Sequence, residues 1–454
     1  AEGLEDQPSN RRPLIEEQGI PRGKIYASDG RTVLAANRGK GRGRQRTFSR
    51  VYPQGDLFAH PLGYSFLSNG RRGLEQAQND NLVGEEDEFE SILAGISDRR
   101  RQGNDVVTTL DVEGTRAAVA GLAGRKGAVV AIEPQTGKVR VMVSIPTYDP
   151  NRIPSAFRQI DTDPNNPDLN RTTQEFYPPG STFKVVTAAA ALDSGKVTPE
   201  SMIDGTSPKT ISGAPLENSG GASFPRISFT DALTGSVNTV FAEVAENVGR
   251  PTMVEYMRRF GFYEDPQLDY PGAQMIPGGV VNGDGDLVDD GFDVGRVGIG
   301  QGGLEGQILA TPMQMALVAS AVANGGRLMK PHLVDRVVRK DGRVKERVKP
   351  DLQSEVMKPE TAEQLTAMMG RVVEEGTGTN AALEGVRVAG KTGTAEVGAN
   401  REFTQPWFIC FAPIDNPRIA VAVTVERQPP GSQGGTVAAP IAKQVLEALL
   451  GGAA

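Results

Sequence analysis

One cysteine, two histidines and one tryptophan are all that 454 residues supply of those types. With Cys410 alone, no internal disulfide can form, and the fold must hold without covalent staples. Cys410 lies in the apolar run WFICFAP and reads as a core residue, not a nucleophile. His60 and His332 stand in no catalytic motif, so a Ser-His-Asp triad has no obvious base, and metal ligation is equally short of donors. Runs of roughly 18 apolar residues are also missing, which leaves no membrane span to expect within the chain. It does not open on Met and a secretory apolar stretch; the polar start AEGLEDQPSNRRP is compatible with a position just behind a trimmed segment. Basic excess is lacking too. The net charge is −7, which argues against a nucleic-acid partner. The one basic cluster, KGRGRQR (Lys40 to Arg46), reads as a solvated loop offset by the acidic run EEDEFE (Glu85 to Glu90).

Hydrophobic residues make up 38% and charged residues 23%, the balance of a globular chain large enough for a substantial core plus an appendage. The first hundred or so residues, rich in Gly, Arg and acidic side chains, read as a small extended domain covering 1–105. The stretch QGNDVVTTLD (Gln102 to Asp111) marks the boundary to a second domain covering 106–454. There, EGTRAAVAGLA reads as a helix, and GAVVAIEPQTGKVRVMVS as a β-hairpin turning at Pro-Gln-Thr-Gly. Residues 146–176 read as loop. Helices follow from Ser181, over Ser228 to Gly249, and over Thr311 to Gly326, the last with a glycine cap. The strands GVRVAGKTGTAEV, WFICFAP and RIAVAVTVER then precede a closing helix, APIAKQVLEALL. The class is α+β, a central antiparallel sheet flanked by helices and assembled from both ends of the domain. The Gly- and Asp-rich segment Gln274 to Gly303 is expected to be a long, mobile loop near the site. Its NGDGDLVDDGFD stretch spaces oxygen ligands like a calcium loop, but Leu287 and Asp293 stand where Gly and Glu are required, so it reads as an acidic turn.

The chemistry concentrates at YPPGSTFK (Tyr177 to Lys184). Pro178 and Pro179 stiffen the entry, Gly180 admits a close backbone approach, and Ser181 and Lys184 share one helix face. A serine nucleophile needs a base, and an ordinary lysine is protonated at neutral pH. Desolvation or a second cation must lower it. The apolar run VVTAAAAL supplies the first, and Lys391 of AGKTGTAE can supply the second. Between them, GSVNTVF carries Ser236 and Asn238. Each pattern alone (S-x-x-K, S-x-N, K-T-G) is weak; their joint occurrence in this order matches the motif set of penicillin-binding proteins and class A β-lactamases.

The chain resembles class B penicillin-binding proteins, of the actinobacterial penicillin-binding protein A type. IPRGKIYASDGRTVLA, RVYPQGDLFAHPLGY and GRRGLEQAQNDNLVG resemble the boxes of that family's N-terminal domain, and GIGQGGLEGQILATPMQMALVASAVANGG resembles its stretch between the second and third motifs. The resemblance implies a DD-transpeptidase anchored at the outer face of the cell membrane, cross-linking peptidoglycan stem peptides and blocked by β-lactams. It implies that Ser181 is the nucleophile, Lys184 its base, Ser236 a proton relay, and Asn238 a holder of substrate and of Lys184. Lys391, Thr392 and Thr394 would bind the terminal carboxylate on the Gly393-containing strand, and the N–H groups of Ser181 and Thr394 would form the oxyanion hole. No metal or cofactor is implied. A membrane glycosyltransferase is the implied partner of the N-terminal domain, and no glycosyltransferase domain is legible in it. Two other readings compete: a DD-carboxypeptidase or β-lactamase on the same fold, and a non-catalytic scaffold or β-lactam sensor. For the hydrolase, Glu175 and Glu246 are the nearby carboxylates, but neither stands in a deacylation motif.

Overall fold

Continuous apolar runs bounded by turn residues become strands buried on both faces, and the computed structural model places five of them in one sheet. It describes residues 17–42, 46–84, 102–303, 306–398 and 402–451; the acidic run Glu85 to Glu90 and the middle of the basic cluster lie outside them. Strands β1 (Ile25–Tyr26), β2 (Val33–Lys40), β3 (Thr47–Val51) and β4 (Asp105–Thr108) come first, then helix α1 (Val112–Leu122) and strands β5 (Gly127–Ile132) and β6 (Val139–Ile145). Helices α2 (Lys184–Asp193), α3 (Phe229–Thr234), α4 (Asn238–Val248) and α5 (Pro312–Ala323) follow, with β7 (Val334–Val338) and β8 (Val344–Arg347) behind them. Helix α6 (Pro359–Glu374), strands β9 (Ala389–Val397), β10 (Phe403–Ala412) and β11 (Ile419–Val425), and helix α7 (Ala439–Gly451) come last.

The five-stranded sheet runs β9-β10-β11-β5-β6, antiparallel throughout. Its two faces feed two cores. Val129, Val421 and Val423 pack with Ala118 and Leu122 of α1 and Ile441, Val445 and Leu446 of α7. Val130, Ile132, Ala420 and Ala422 share the larger core with α5 and α2. Alternation along one strand thus serves both layers, which is why these strands read as unbroken apolar runs. Cys410 is fully buried in the first core, and burial pushes its thiol up, away from reactivity. Asp111 caps α1 by accepting from Gly114 N (2.8 Å), and Thr311 caps α5 by accepting from Gln314 N (3.1 Å).

A second sheet runs β8-β7-β4-β1-β2-β3, with β4 and β1 parallel. It takes strands from both sides of residue 105: β4 pairs with β1 on one edge and with β7, from far along the chain, on the other. Beneath it lies a buried ion cluster. Arg22 and Arg50 both grip Glu75. Burial pushes the Glu75 carboxyl up, but Arg50 and Arg22 outweigh it and hold it below its ordinary value.

Three expectations need correction. The stretch 146–176 is not all loop: Ile153–Asp161 is a helix, with Pro154 tolerated in its first turn. The helix expected over Ser228 to Gly249 is broken between α3 and α4. The segment Gln274 to Gly303 is not a free loop. Gly279–Val281 pairs with Gly306–Leu309, Val294–Gly298 is helical, and Phe292 and Ile299 are buried; its tip is exposed. In that tip, Asn282 Oδ1 accepts from Asp284 N (3.0 Å) and Asp286 N (2.9 Å), closing the acidic turn on itself.

Candidate active site

The Pro-Pro-Gly entry does not run straight into an α-helix. Gly180–Phe183 forms a 3₁₀ turn that leads into α2, and in 3₁₀ geometry residues three apart eclipse, so Ser181 and Lys184 stay on one side. Gly180 has φ +53°, and a Cβ there would sit 2.9 Å from Thr394 O; glycine answers both demands. Its N–H donates to Gly300 O (3.0 Å), so the far end of the Gln274 to Gly303 segment does reach the site. Gly393 plays the matching part on β9, where a Cβ would lie 2.7 Å from Pro179 O. The Gly180–Phe183 turn and strand β9 therefore meet backbone to backbone. Trp407, opposite Gly393 on β10, donates its indole N–H to Pro178 O (3.0 Å) and fixes the turn from beneath.

Ser181 is partly exposed, whereas Lys184 is fully buried in a helix whose residues are buried through Leu192. Lys184 Nζ donates to Ser236 O (2.7 Å) and Asn238 Oδ1 (2.8 Å), and lies 3.3 Å from Ser236 Oγ. Lys391 Nζ donates to the same Ser236 Oγ (2.9 Å) and to Thr392 O (3.0 Å). One hydroxyl thus bridges two lysine amines, and Lys184, Ser236, Asn238, Lys391 and Thr392, all singled out in the sequence, share one hydrogen-bonded chain. Burial, then the charge of Lys391, holds the Lys184 amine well below its ordinary value; burial alone brings Lys391 down to about 7. The Ser181 hydroxyl makes no hydrogen bond among the described residues, and the residue is partly exposed.

Ser236 owes its position to the break between α3 and α4. Val237 N donates to Ala232 O (2.8 Å) and Ser236 N to Leu233 O (3.2 Å), a Schellman closure with Ser236 at φ +57°, where glycine is the usual residue. Gly235 sits one position too early to take that role, so the sequence reads as an uninterrupted helix. A non-glycine residue in this conformation costs of order 1 kcal/mol or more. Asn238 then opens α4. Its amide donates to Glu217 O (3.0 Å), which turns Oδ1 towards Lys184.

On β9, Thr394 Oγ1 accepts from Gly434 N (3.1 Å), and Thr392 Oγ1 lies 2.6 Å from Thr377 Oγ1. Thr377, Glu217 and Gly300 escape a motif reading; the only sequence signal for Thr377 is the Gly-Thr-Gly that follows α6. Glu246 accepts from Ser212 N (3.0 Å) and Oγ (2.9 Å) and is committed to that turn. Glu175 is pushed up by burial and by Glu426 beside it. Burial holds His60 near 3, so it stays neutral in the core.

A serine at a helix entry, two desolvated lysines and a glycine-bearing edge strand define a serine acyl-transfer site of the penicillin-recognising kind. Comparison with known proteins agrees. Residues 127–447 match the penicillin-binding protein transpeptidase domain, and residues 22–106 match the penicillin-binding protein A dimerisation domain. The chain is 35% identical to the peptidoglycan D,D-transpeptidase PbpA of Mycolicibacterium smegmatis, over 99% of this chain and 93% of that protein. Among solved structures, penicillin-binding protein A from M. tuberculosis, as a ceftriaxone acyl-enzyme complex, is similar with a TM-score of 0.85 at 32% identity, covering 96% of this chain and 100% of that one. A D,D-transpeptidase domain from Eggerthella lenta gives 0.82 at 30% identity, over 95% and 99%. The chain belongs to the penicillin-binding protein transpeptidase family.

Proposed function

We propose that this protein is a peptidoglycan D,D-transpeptidase working through an acyl-enzyme on Ser181. The observation that carries the mechanism is the Lys184–Ser236–Lys391 chain. A neutral Lys184 amine has two N–H donors, and Ser236 O and Asn238 Oδ1 are both acceptors only. The lone pair is then left for a hydroxyl proton, which is what a base to Ser181 requires. Ser181 Oγ bonds to the carbonyl carbon of the penultimate D-Ala, and its proton passes to Lys184. The oxyanion is held by the N–H groups of Ser181 and Thr394. Collapse breaks the peptide C–N bond, and the proton travels through Ser236 Oγ to the leaving D-Ala nitrogen. An acceptor amine from a second stem peptide then attacks the ester carbon, giving up a proton through Ser236 Oγ and Lys184, and the C–O bond to Ser181 breaks as Lys184 returns the proton to Oγ. Lys391, with Thr392 and Thr394, holds the substrate carboxylate, and Gly393 lets the strand pack against the turn that carries Ser181. A β-lactam enters the same path, but its leaving nitrogen stays tethered and blocks the acceptor.

Residues 1–105 form the N-terminal module and 106–454 the transpeptidase unit in this reading. Among the described residues no helix is long and apolar enough to cross a membrane. The substrate places the site outside the cytoplasm, and the N-terminal module is where a membrane glycosyltransferase would dock. Intact mass after incubation with benzylpenicillin, with peptide mapping, tests the proposal. A long-lived adduct on Ser181, absent in Ser181→Ala, is expected. Rapid release of penicilloate would move the assignment to a hydrolase, and no adduct would leave a scaffold.

A further inference from the structure

The segment that carries Ser181 is held by the catalytic sheet, through Trp407, and also from outside it. Thr173 opens the run that ends at Ser181. Its hydroxyl donates to Gln274 O (2.8 Å), and its carbonyl accepts from Ile276 N (2.9 Å). Farther along, Tyr177 exchanges both backbone hydrogen bonds with Ala310 (3.0 and 2.9 Å), and Gly180 N reaches Gly300 O (3.0 Å). Gly300 and Ala310 therefore hold the end of the run near Ser181, while Gln274 and Ile276 hold its start together with Met313, whose N–H donates to Thr172 O (3.0 Å), and Glu426, paired with Arg171 (2.7 Å).

Gln274 is buried, and its side chain faces the other way, into the N-terminal module. Its Oε1 accepts from Gly73 N (3.1 Å), and its Nε2 donates to Gln76 Oε1 (3.1 Å). Gly73 N is a first-turn N–H of the helix Gly73–Ala77, a donor with no partner inside its own helix. That helix cannot shift freely: Gly73 is at φ +60°, and a Cβ there would lie 2.6 Å from Gly63 N. Two further ties run in parallel. Tyr270 OH donates to His60 O (2.6 Å), and Arg72 pairs with Asp168 (3.1 Å), just ahead of the run. Of these, only Gln274 binds the module with its side chain and the nucleophile run with its backbone.

We infer that Gln274 is a positioning residue for acylation, transmitting the placement of the N-terminal helix Gly73–Ala77 to the run that ends at Ser181. The inference rests on the acyl-enzyme reading above. Losing the side chain cuts the tie between the run and the N-terminal module without touching any residue of the site, while Thr173 keeps its bonds to the backbone of Gln274 and Ile276. A small displacement of a nucleophile lowers the rate of the chemical step more than the affinity of the preceding complex. Gln274→Glu keeps an acceptor for Gly73 N, and the Gln76 amide can reverse to donate to the new carboxylate.

The test is pre-steady-state acylation of the full chain by a fluorescent penicillin, resolving the initial dissociation constant from the acylation rate constant, with a melting curve for each variant. Gln274→Ala is expected to lower the acylation rate constant roughly tenfold with the dissociation constant unchanged, and Gln274→Glu to restore most of it. An unchanged rate constant in Gln274→Ala overturns the inference. So does a loss shared by rate and affinity with a matching fall in Tm, which marks a merely structural role. Should Gln274→Ala not fold, Gln76→Ala, which removes one of the contacts, is expected to slow acylation by a smaller factor; no slowing overturns the inference. If the wild-type chain itself forms no adduct, it is the acyl-enzyme reading that fails.

Discussion

Replacing Lys391 with Met tests whether burial sets the charge state of the site. The Lys391 amine is fully buried, and that burial alone brings it from 10.5 to about 7. Unfolding returns it to water. Between about pH 7 and 10.5 the unfolded chain therefore holds a proton that the folded chain has released. Where the unfolded state binds more protons, stability rises with pH; below pH 7 both states are protonated and the full burial cost remains. From pH 7 to 9 this group alone contributes a gain of about 2 kcal/mol. Lys184 adds a term of the same sign, because its amine is also lowered, by burial and then by Lys391. Lys391→Met removes the first term and weakens the second, since the neighbouring charge is gone, while the methionine fills most of the space of the lysine stem. Urea unfolding followed by circular dichroism across that pH range reads the difference. The wild-type protein should gain stability steadily, and the variant clearly less. Parallel curves would refute the reasoning and return the Lys391 amine to an ordinary lysine value.

Other outcomes follow from the same geometry. Ser236→Gly should leave stability nearly unchanged, because relief of the left-handed backbone, about 1 kcal/mol, is offset by loss of the hydroxyl that bonds two buried lysine amines. It should also slow acylation by roughly a hundredfold or more through loss of the bridging hydroxyl, as paired melting and penicillin-binding assays would record. Gly180→Ala should cost roughly 1–2 kcal/mol in backbone strain and acylate slowly, because its methyl group meets Thr394 O; a wild-type rate would contradict the close packing of the turn on β9. The second-order rate of acylation by benzylpenicillin should decline as pH rises through about 7, where Lys391 loses the charge that attracts the ligand carboxylate. A rate that stays flat well into the alkaline range would set that assignment aside.

Much of the site was legible because its chemistry constrains residue types locally. A serine and a lysine one turn apart ahead of an all-apolar helix already call for a desolvated base, and Lys184 is indeed fully buried. The strands of the catalytic sheet were legible because burial on both faces leaves unbroken apolar runs. What stayed hidden was set by contacts distant in sequence. Nothing around Val334 announces that it pairs with Thr108. Gln274 looked like part of a mobile loop because its partners, Gly73 and Thr173, lie far upstream. The break at Ser236 was hidden for a local reason: the glycine that would signal a helix end stands one residue before the position that needs it.

The mixed origin of the six-stranded sheet has a consequence for how the chain matures. As the polypeptide emerges, β1 to β4 can assemble early, but the outer edge of β4 has no neighbour until β7 has been made. At ordinary elongation rates, roughly ten to forty-five seconds separate those two moments. Throughout that interval the nascent N-terminal module presents an unpaired strand edge, open to mispairing. Completion of the module is thus timed by translation of the catalytic domain, so a ribosome stalled before residue 334 carries a sheet with an open side.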